Sequence, residues 1–269
     1  KEFIPNIEKI HCPSAEYLAK TPQLLKNEAF FQRVNTHGMM EHPCGGSEDF
    51  TIVFLGDSFI ENIFVKESKR FTNLLEERFF CLNKKVRVYN AGVSGATGLG
   101  LLNVFLNKII PMKPNIVVYT QPSCDFSALI YEKGYYNDSQ LFSNLTPSTG
   151  KDKFYYETIE PNLDQLEHNI HLLAKSCEIN NIQLYLATCC SNSSKRQLKM
   201  MNDIMRTNVH LGYELIDLDL IISRDDKYFY DKQHINEEGS QLLYEVFYSV
   251  LAEDRLLKEA HLCTSIDYF

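Results

Sequence analysis

From residue 51 onward, short runs of β-branched and aromatic residues alternate with longer stretches in which apolar positions recur every three or four residues. The runs "TIVFLG" (51–56), "KVRVYN" (85–90), "NIVVYT" (115–120), "IQLYLAT" (182–188) and "YELIDL" (213–218) predict strands. Their near-continuous apolar character suits strands covered on both faces. Helices are expected between them at 68–82, 98–110, 162–180 and 195–211. A last one is expected at 236–252, where Leu242, Leu243, Val246, Phe247 and Val250 fall at helical spacing. Alternating strands and helices build parallel βαβ units, so the expected fold is a three-layer α/β/α sandwich around a five-stranded parallel sheet.

Two regions break this rhythm. Residues 1–50 carry Cys, Pro, His and Gly without sustained periodicity, and are expected to form an N-terminal extension packed on the core domain of 51–269. Residues 122–160 form a Tyr-, Ser- and Asn-rich connection far longer than an ordinary βα loop, which marks it as either a functional insertion or a disordered one. A chain of 269 residues with 44% hydrophobic residues suits one large domain with an appended segment.

Charge and cysteine usage narrow the partners. With 27 Lys and Arg against 35 Asp and Glu, the net charge of -8 has the wrong sign for tracking phosphates, so nucleic acid is not an expected partner. The eight cysteines, at 12, 44, 81, 124, 177, 189, 190 and 263, lack the paired spacings of a zinc site. Cys81, Cys177, Cys189 and Cys190 lie in or beside apolar periodic segments and read as buried thiols. That usage favours a reducing, cytoplasmic setting. No stretch has the apolar length of a membrane span, and the first residues have no signal-peptide core. The chain starts at Lys1 rather than Met, which leaves room for an upstream segment and for a periplasmic or membrane-associated location.

In an open parallel sheet, ligands bind outside the carboxyl ends of the strands. The stretch "FLGDSFIEN" (54–62) places Ser58 two residues past the first strand, at that edge. Serine becomes a nucleophile when an imidazole takes its proton and a carboxylate orients the imidazole. "DKQHINEEG" (231–239) offers Asp231 and His234 between the fifth strand and the last helix, at the same edge. Each piece alone has an ordinary explanation. Gly-Asp-Ser after a strand is a common βα turn. Asp231 and His234 could be solvated cap residues, with Asn236 as N-cap and Glu237 and Glu238 near the helix dipole. Their joint occurrence at the two ends of one doubly wound sheet favours chemistry.

With these motifs the chain resembles the SGNH or GDSL hydrolases over roughly 51–252. Gly56, Asp57, Ser58 and Phe59 match that family's first motif, Gly95 within "NAGVSGATG" its glycine after the second strand, and Asp231 with His234 its Asp-x-x-His. The resemblance implies a flavodoxin-like sheet and serine ester hydrolysis without a metal or organic cofactor. It makes Ser58 the nucleophile, His234 the general base and Asp231 its orienting carboxylate, with the amides of Ser58 and Gly95 binding the oxyanion.

The third motif departs from the family. Gly-x-Asn-Asp is expected after the third strand, but the chain reads "QPSCD" at 121–125, with Pro122 for Gly and Cys124 for Asn, while Asp125 is kept. A thiol is a weak donor, and losing an oxyanion donor costs about 2.7 to 4 kcal/mol of transition-state stabilisation. Either activity is reduced, or Gln121, Ser123 or another group substitutes, or Cys124 simply packs. Asp57, Gln121, Ser123 and Asp125 are carried as candidate substrate-binding residues. "RVNTHG" (33–38) resembles an Arg-x-Asn-x-x-Gly segment in the bacterial branch associated with surface-polysaccharide modification, and also reads as a polar turn ending at Gly38. Tyr131, Tyr135, Tyr136, Tyr155 and Tyr156 would offer faces for sugar rings. Cys189 and Cys190 receive no role. The expected function is a serine esterase removing an O-acyl group, with acetyl favoured, from a carbohydrate or polysaccharide. An acyltransferase using the same triad and a catalytically impaired glycan-binding module are the alternatives.

Overall fold

The computed structural model describes residues 2–21, 25–42, 49–82, 84–140, 142–143, 160–193 and 196–258. In chain order these form β1 (Glu8–His11), α1 (Ala15–Lys20), β2 (Phe30–Arg33), β3 (Phe50–Gly56), α2 (Ser58–Glu61), α3 (Phe71–Cys81) and β4 (Val86–Gly92). Then follow α4 (Gly98–Val104), α5 (Ile110–Met112), β5 (Ile116–Thr120), α6 (Cys124–Leu129), α7 (Leu163–Ile179) and β6 (Gln183–Ala187). The chain continues with α8 (Arg196–Thr207), β7 (Glu214–Ile216), α9 (Leu218–Ile221) and α10 (Glu237–Leu251).

The five expected strands are β3 to β7. They pair in parallel in the order β4-β3-β5-β6-β7, which is the flavodoxin-like order with the first strand inside the second. All seven residues of β3 are buried, and their alternation feeds two apolar layers. Ile52 and Phe54 pack with Phe71, Leu75 and Phe79 of α3 and with Leu243 and Phe247 of α10. Val53 and Leu55 face Leu101 and Leu102 of α4, Ile170 and Leu173 of α7, and Met201 and Met205 of α8. Each fully buried side chain of this size contributes about 1.5 to 3 kcal/mol. The sheet edge carrying the loops after β3, β4 and β5 therefore stands on a rigid base.

The expected helix at 98–110 is divided. Between α4 and α5 the chain makes a π-helical turn, Phe105–Ile109. Pro111, near the start of α5, has no N–H to donate, and the wider turn accommodates it. At the other end of the chain, α10 starts where its pattern predicts, with Asn236 accepting from the Gly239 amide at 3.0 Å.

The region before the sheet is more ordered than its pattern suggests. β1 and β2 pair antiparallel with Glu8 opposite Arg33. The 33–38 segment is a turn in which the side-chain oxygen of Asn35 accepts from His37 N at 2.9 Å and Met39 N at 3.0 Å. Gly38 sits at φ 71°, where a Cβ would also meet Phe3 O at 3.0 Å. The turn delivers Met40 to Asn90 of β4, and the two exchange both backbone hydrogen bonds, at 2.9 and 2.8 Å. The outer edge of β4 is thus covered locally.

The 122–160 connection opens with α6 and continues into a 3-10 turn, Gly134–Tyr136. Tyr155 and Tyr156 lie outside the described residues, as do Cys44 and Cys263. Cys177, Cys189 and Cys190 are buried, whereas Cys81 ends α3 facing solvent, contrary to its expected burial. Among the described residues no helix is long and apolar enough to cross a membrane.

Candidate active site

Ser58 is placed by the exit from β3. Asp57 caps α2, its Oδ1 accepting from Phe59 N at 3.0 Å, while its Oδ2 accepts from Ser123 N at 2.8 Å and Ser123 Oγ at 2.7 Å. These bonds fix the turn against the loop after β5. β4 approaches α2 so closely that a Cβ on Gly92 would meet Glu61 N at 2.2 Å. Asp57 and Ser123 therefore build the floor of the edge.

His234 and Asp231 sit in a tight turn before α10. Tyr230 N donates to His234 O at 2.9 Å, and Asn236 N donates to Tyr228 O at 3.0 Å, closing the turn on both sides. His234 Nε2 lies 2.7 Å from Ser58 Oγ, and its Nδ1 lies 2.7 Å from Asp231 Oδ2. Asp231 Oδ1 accepts from the amides of Gln233 and His234, both at 2.7 Å. The Tyr230 ring stacks on the imidazole with centroids 5.5 Å apart and planes 9° from parallel. Serine, imidazole and carboxylate thus form one chain of hydrogen bonds across 176 residues of sequence.

The electrostatics follow from this contact. Burial pushes the Asp231 carboxyl upward, but the hydrogen bond and charge of His234 and the Tyr17 hydroxyl outweigh it and hold it well below the ordinary carboxylate range. Burial pulls the His234 pKa down. The hydrogen bond and charge of Asp231, with smaller effects of Asp57 and Glu61, raise it above its ordinary value. In its neutral form the ring is therefore a stronger base toward the Ser58 hydroxyl than a free imidazole.

Gly95 lies in the loop after β4 at φ 72°, preceded by Val93, whose amide donates to Gly56 O at 3.1 Å. Glu61, the last residue of α2, is buried, and its Oε2 accepts from Ser94 N at 2.7 Å and from Ser94 Oγ. The amides of Ser58 and Gly95 make no hydrogen bond among the described residues, so both remain available as donors. Cys124, partly exposed, is the first residue of α6 and follows Ser123, which is anchored to Asp57.

The structure places the candidate substrate-binding residues largely below the surface of the edge. Asp57, Gln121 and Asp125 are each no more than 1% exposed. Asp125 Oδ1 accepts from Gly98 N at 2.7 Å, and Oδ2 accepts from the Tyr135 hydroxyl at 2.7 Å and Gln121 Nε2 at 2.8 Å. Ser123 is spent on Asp57. Their hydrogen bonds tie the edge together from below. Tyr135, expected to face a sugar, is buried in the same network, whereas Tyr136 is exposed.

Two residues of the site escape a reading of the sequence. Glu61 follows the first motif without belonging to it. Tyr17, from α1, donates its hydroxyl to Asp231 Oδ2 at 2.5 Å, across 214 residues. A tyrosine in a short, largely exposed helix gives no local signal of such a contact.

No family model matches the sequence, and no curated protein does. Solved structures do resemble it. An acetyl xylan esterase superposes with a TM-score of 0.56 at 15% identity, covering 75% of this chain and 99% of its own. The psychrotrophic esterase EstA from Pseudoalteromonas gives 0.56 at 17% identity, covering 76% and 97%. A GDSL-like lipase from Bacteroides thetaiotaomicron gives 0.51 at 15%, covering 77% and 89%. The chain has an SGNH/GDSL-type hydrolase fold, with its serine, histidine and aspartate together at the carboxyl edge of the sheet. At these identities the likeness is one of architecture.

Proposed function

We propose that the protein is a serine esterase that removes an O-acyl group, acetyl above longer chains, from a carbohydrate. The observation that carries this reading is the hydrogen-bonded series Ser58, His234 and Asp231, with 2.7 Å at both of its links. Ser58 Oγ attacks the ester carbonyl as His234 Nε2 takes its proton. The amides of Ser58 and Gly95 face the charge that develops on the carbonyl oxygen. His234 then returns the proton to the departing sugar oxygen, and water, activated by the same imidazole, releases the acyl group. Asp231 holds the imidazole in the tautomer with its proton on Nδ1.

The carbohydrate half of the reading draws on an acetyl xylan esterase among the structural neighbours, the exposed Tyr136 of the long connection after β5, and the 33–38 segment's likeness to the polysaccharide-modifying branch. The assembled series of hydrogen bonds speaks against a purely glycan-binding module. The test is hydrolysis of 4-nitrophenyl acetate against the octanoate, with Ser58→Ala as control. Acetate should be turned over faster and Ser58→Ala should be silent. Faster octanoate turnover would move the assignment to a lipase or thioesterase. Acyl release only when a sugar acceptor is added would move it to a transferase.

A further inference from the structure

We propose that Tyr17, carried by the N-terminal segment, is a positioning residue that sets the basicity of His234 through Asp231. The inference rests on the esterase reading for its catalytic meaning, though its geometry stands independently. Asp231 accepts four hydrogen bonds. Two backbone amides occupy Oδ1, and His234 Nδ1 and the Tyr17 hydroxyl share Oδ2. A hydroxyl 2.5 Å from a carboxylate oxygen makes a strong charge-assisted bond. It draws negative charge from the atom that stabilises the imidazolium, so it tempers how tightly His234 holds a proton.

The placement of Tyr17 is enforced from several sides. Ser14 caps α1 by accepting from Tyr17 N at 3.1 Å, and the Thr21 amide and hydroxyl return to Tyr17 O at 3.1 and 3.0 Å. The ring packs against Phe64 at 5.7 Å and stands edge-on to Tyr230 at 6.2 Å, the same Tyr230 that stacks on His234. Phe64 in turn meets Phe30 of β2 at 5.6 Å. The N-terminal segment therefore reaches Asp231 and His234 through a continuous aromatic cluster.

The charges around the imidazole make this tempering consequential. His234 faces Asp57 and Glu61 from the β3 and α2 side, Asp231 and Tyr230 from its own turn, and Tyr17 from α1, while Lys232 is exposed to solvent. The three carboxylates all favour the protonated ring. A base held protonated at working pH cannot accept from Ser58, so a donor that shares Asp231 keeps the imidazole in service at lower pH.

The experiment is a titration of the His234 ring by NMR in the wild type and in Tyr17→Phe, paired with the pH profile of kcat/KM for 4-nitrophenyl acetate. Phenylalanine keeps the ring contacts and removes the hydroxyl, which donates to Asp231 and also meets the Tyr230 hydroxyl. The His234 pKa is expected to rise by about half a unit or more. The acidic limb of kcat/KM should move to higher pH by the same amount, with the plateau at high pH within about threefold of wild type. A His234 pKa that is unchanged or lower in Tyr17→Phe overturns the inference. So does a uniform loss of activity with an unshifted limb, which is the mark of a structural role. If the wild type shows no hydrolysis that depends on Ser58, the esterase reading fails, and the NMR titration still decides whether Tyr17 tunes His234.

Discussion

Replacing Asp125 with asparagine should remove a pH dependence from the stability of the fold. Asp125 is fully buried, and burial is the largest influence on it, pushing its pKa up to about 7 against the pull of bonds from Gly98, Tyr135 and Gln121, with the nearby charge of Asp57 adding to the rise. A carboxyl raised in this way binds more protons in the folded state than in the unfolded one. Its contribution to stability is therefore complete below about pH 4 and is lost as the pH rises to about 7. At about 1.4 kcal/mol for each pKa unit, the difference between the ordinary 3.8 and about 7 corresponds to roughly 4 kcal/mol across that window. An asparagine at this position would be neutral throughout. Gln121 Oε1 is buried without a hydrogen-bond partner, so rotating that amide lets it accept from the new NH2 while the asparagine oxygen keeps the Gly98 bond. Asp125→Asn is thus expected to gain about 3 kcal/mol on wild type between pH 4.5 and pH 8. Urea unfolding of both proteins at the two pH values isolates the difference, because other titrating groups cancel. Parallel stability curves for the two proteins would refute the reasoning, and with it the role of Asp125 as an internal brace.

Two further substitutions address the oxyanion side. Glu61→Ala frees the Ser94 amide and hydroxyl from Oε2 and the Gln32 amide, 3.3 Å away, from Oε1. With the Gly95 loop loosened, kcat should fall by about 10- to 100-fold with KM within about threefold, while Glu61→Gln, which keeps an acceptor, should retain most activity; unchanged kcat in Glu61→Ala would show that the loop needs no such anchor. Cys124→Asn should raise the acylation rate with little effect on binding if residue 124 faces the oxyanion, whereas a lower melting temperature without a rate gain would identify a packed thiol.

The strands that carry the site are legible in the sequence because each is a nearly unbroken apolar run, and an α/β chain with that pattern has few alternatives. β1 and β2 are not, since four-residue strands with exposed positions, such as Glu8–His11, carry too little periodicity to distinguish them from loop. Ser58, Asp231 and His234 stand out through their position at the ends of elements. Asp57 and Asp125 stand out for the same reason, but their inward hydrogen bonds are not legible there. A charged residue at the functional edge suggests contact with a ligand, and only three dimensions show each carboxylate turned inward onto backbone amides. Tyr17 is out of reach altogether, because its role is set by a contact between two distant segments, with no spacing rule that links them.

If Ser58 is an activated nucleophile, a fluorophosphonate probe should find it, and intact-mass measurement with peptide mapping reads the outcome. A single adduct on Ser58 is predicted, with none in Ser58→Ala and greatly slowed labelling in His234→Ala. A folded wild-type protein that takes no label, or a label that persists in Ser58→Ala, would contradict the assignment.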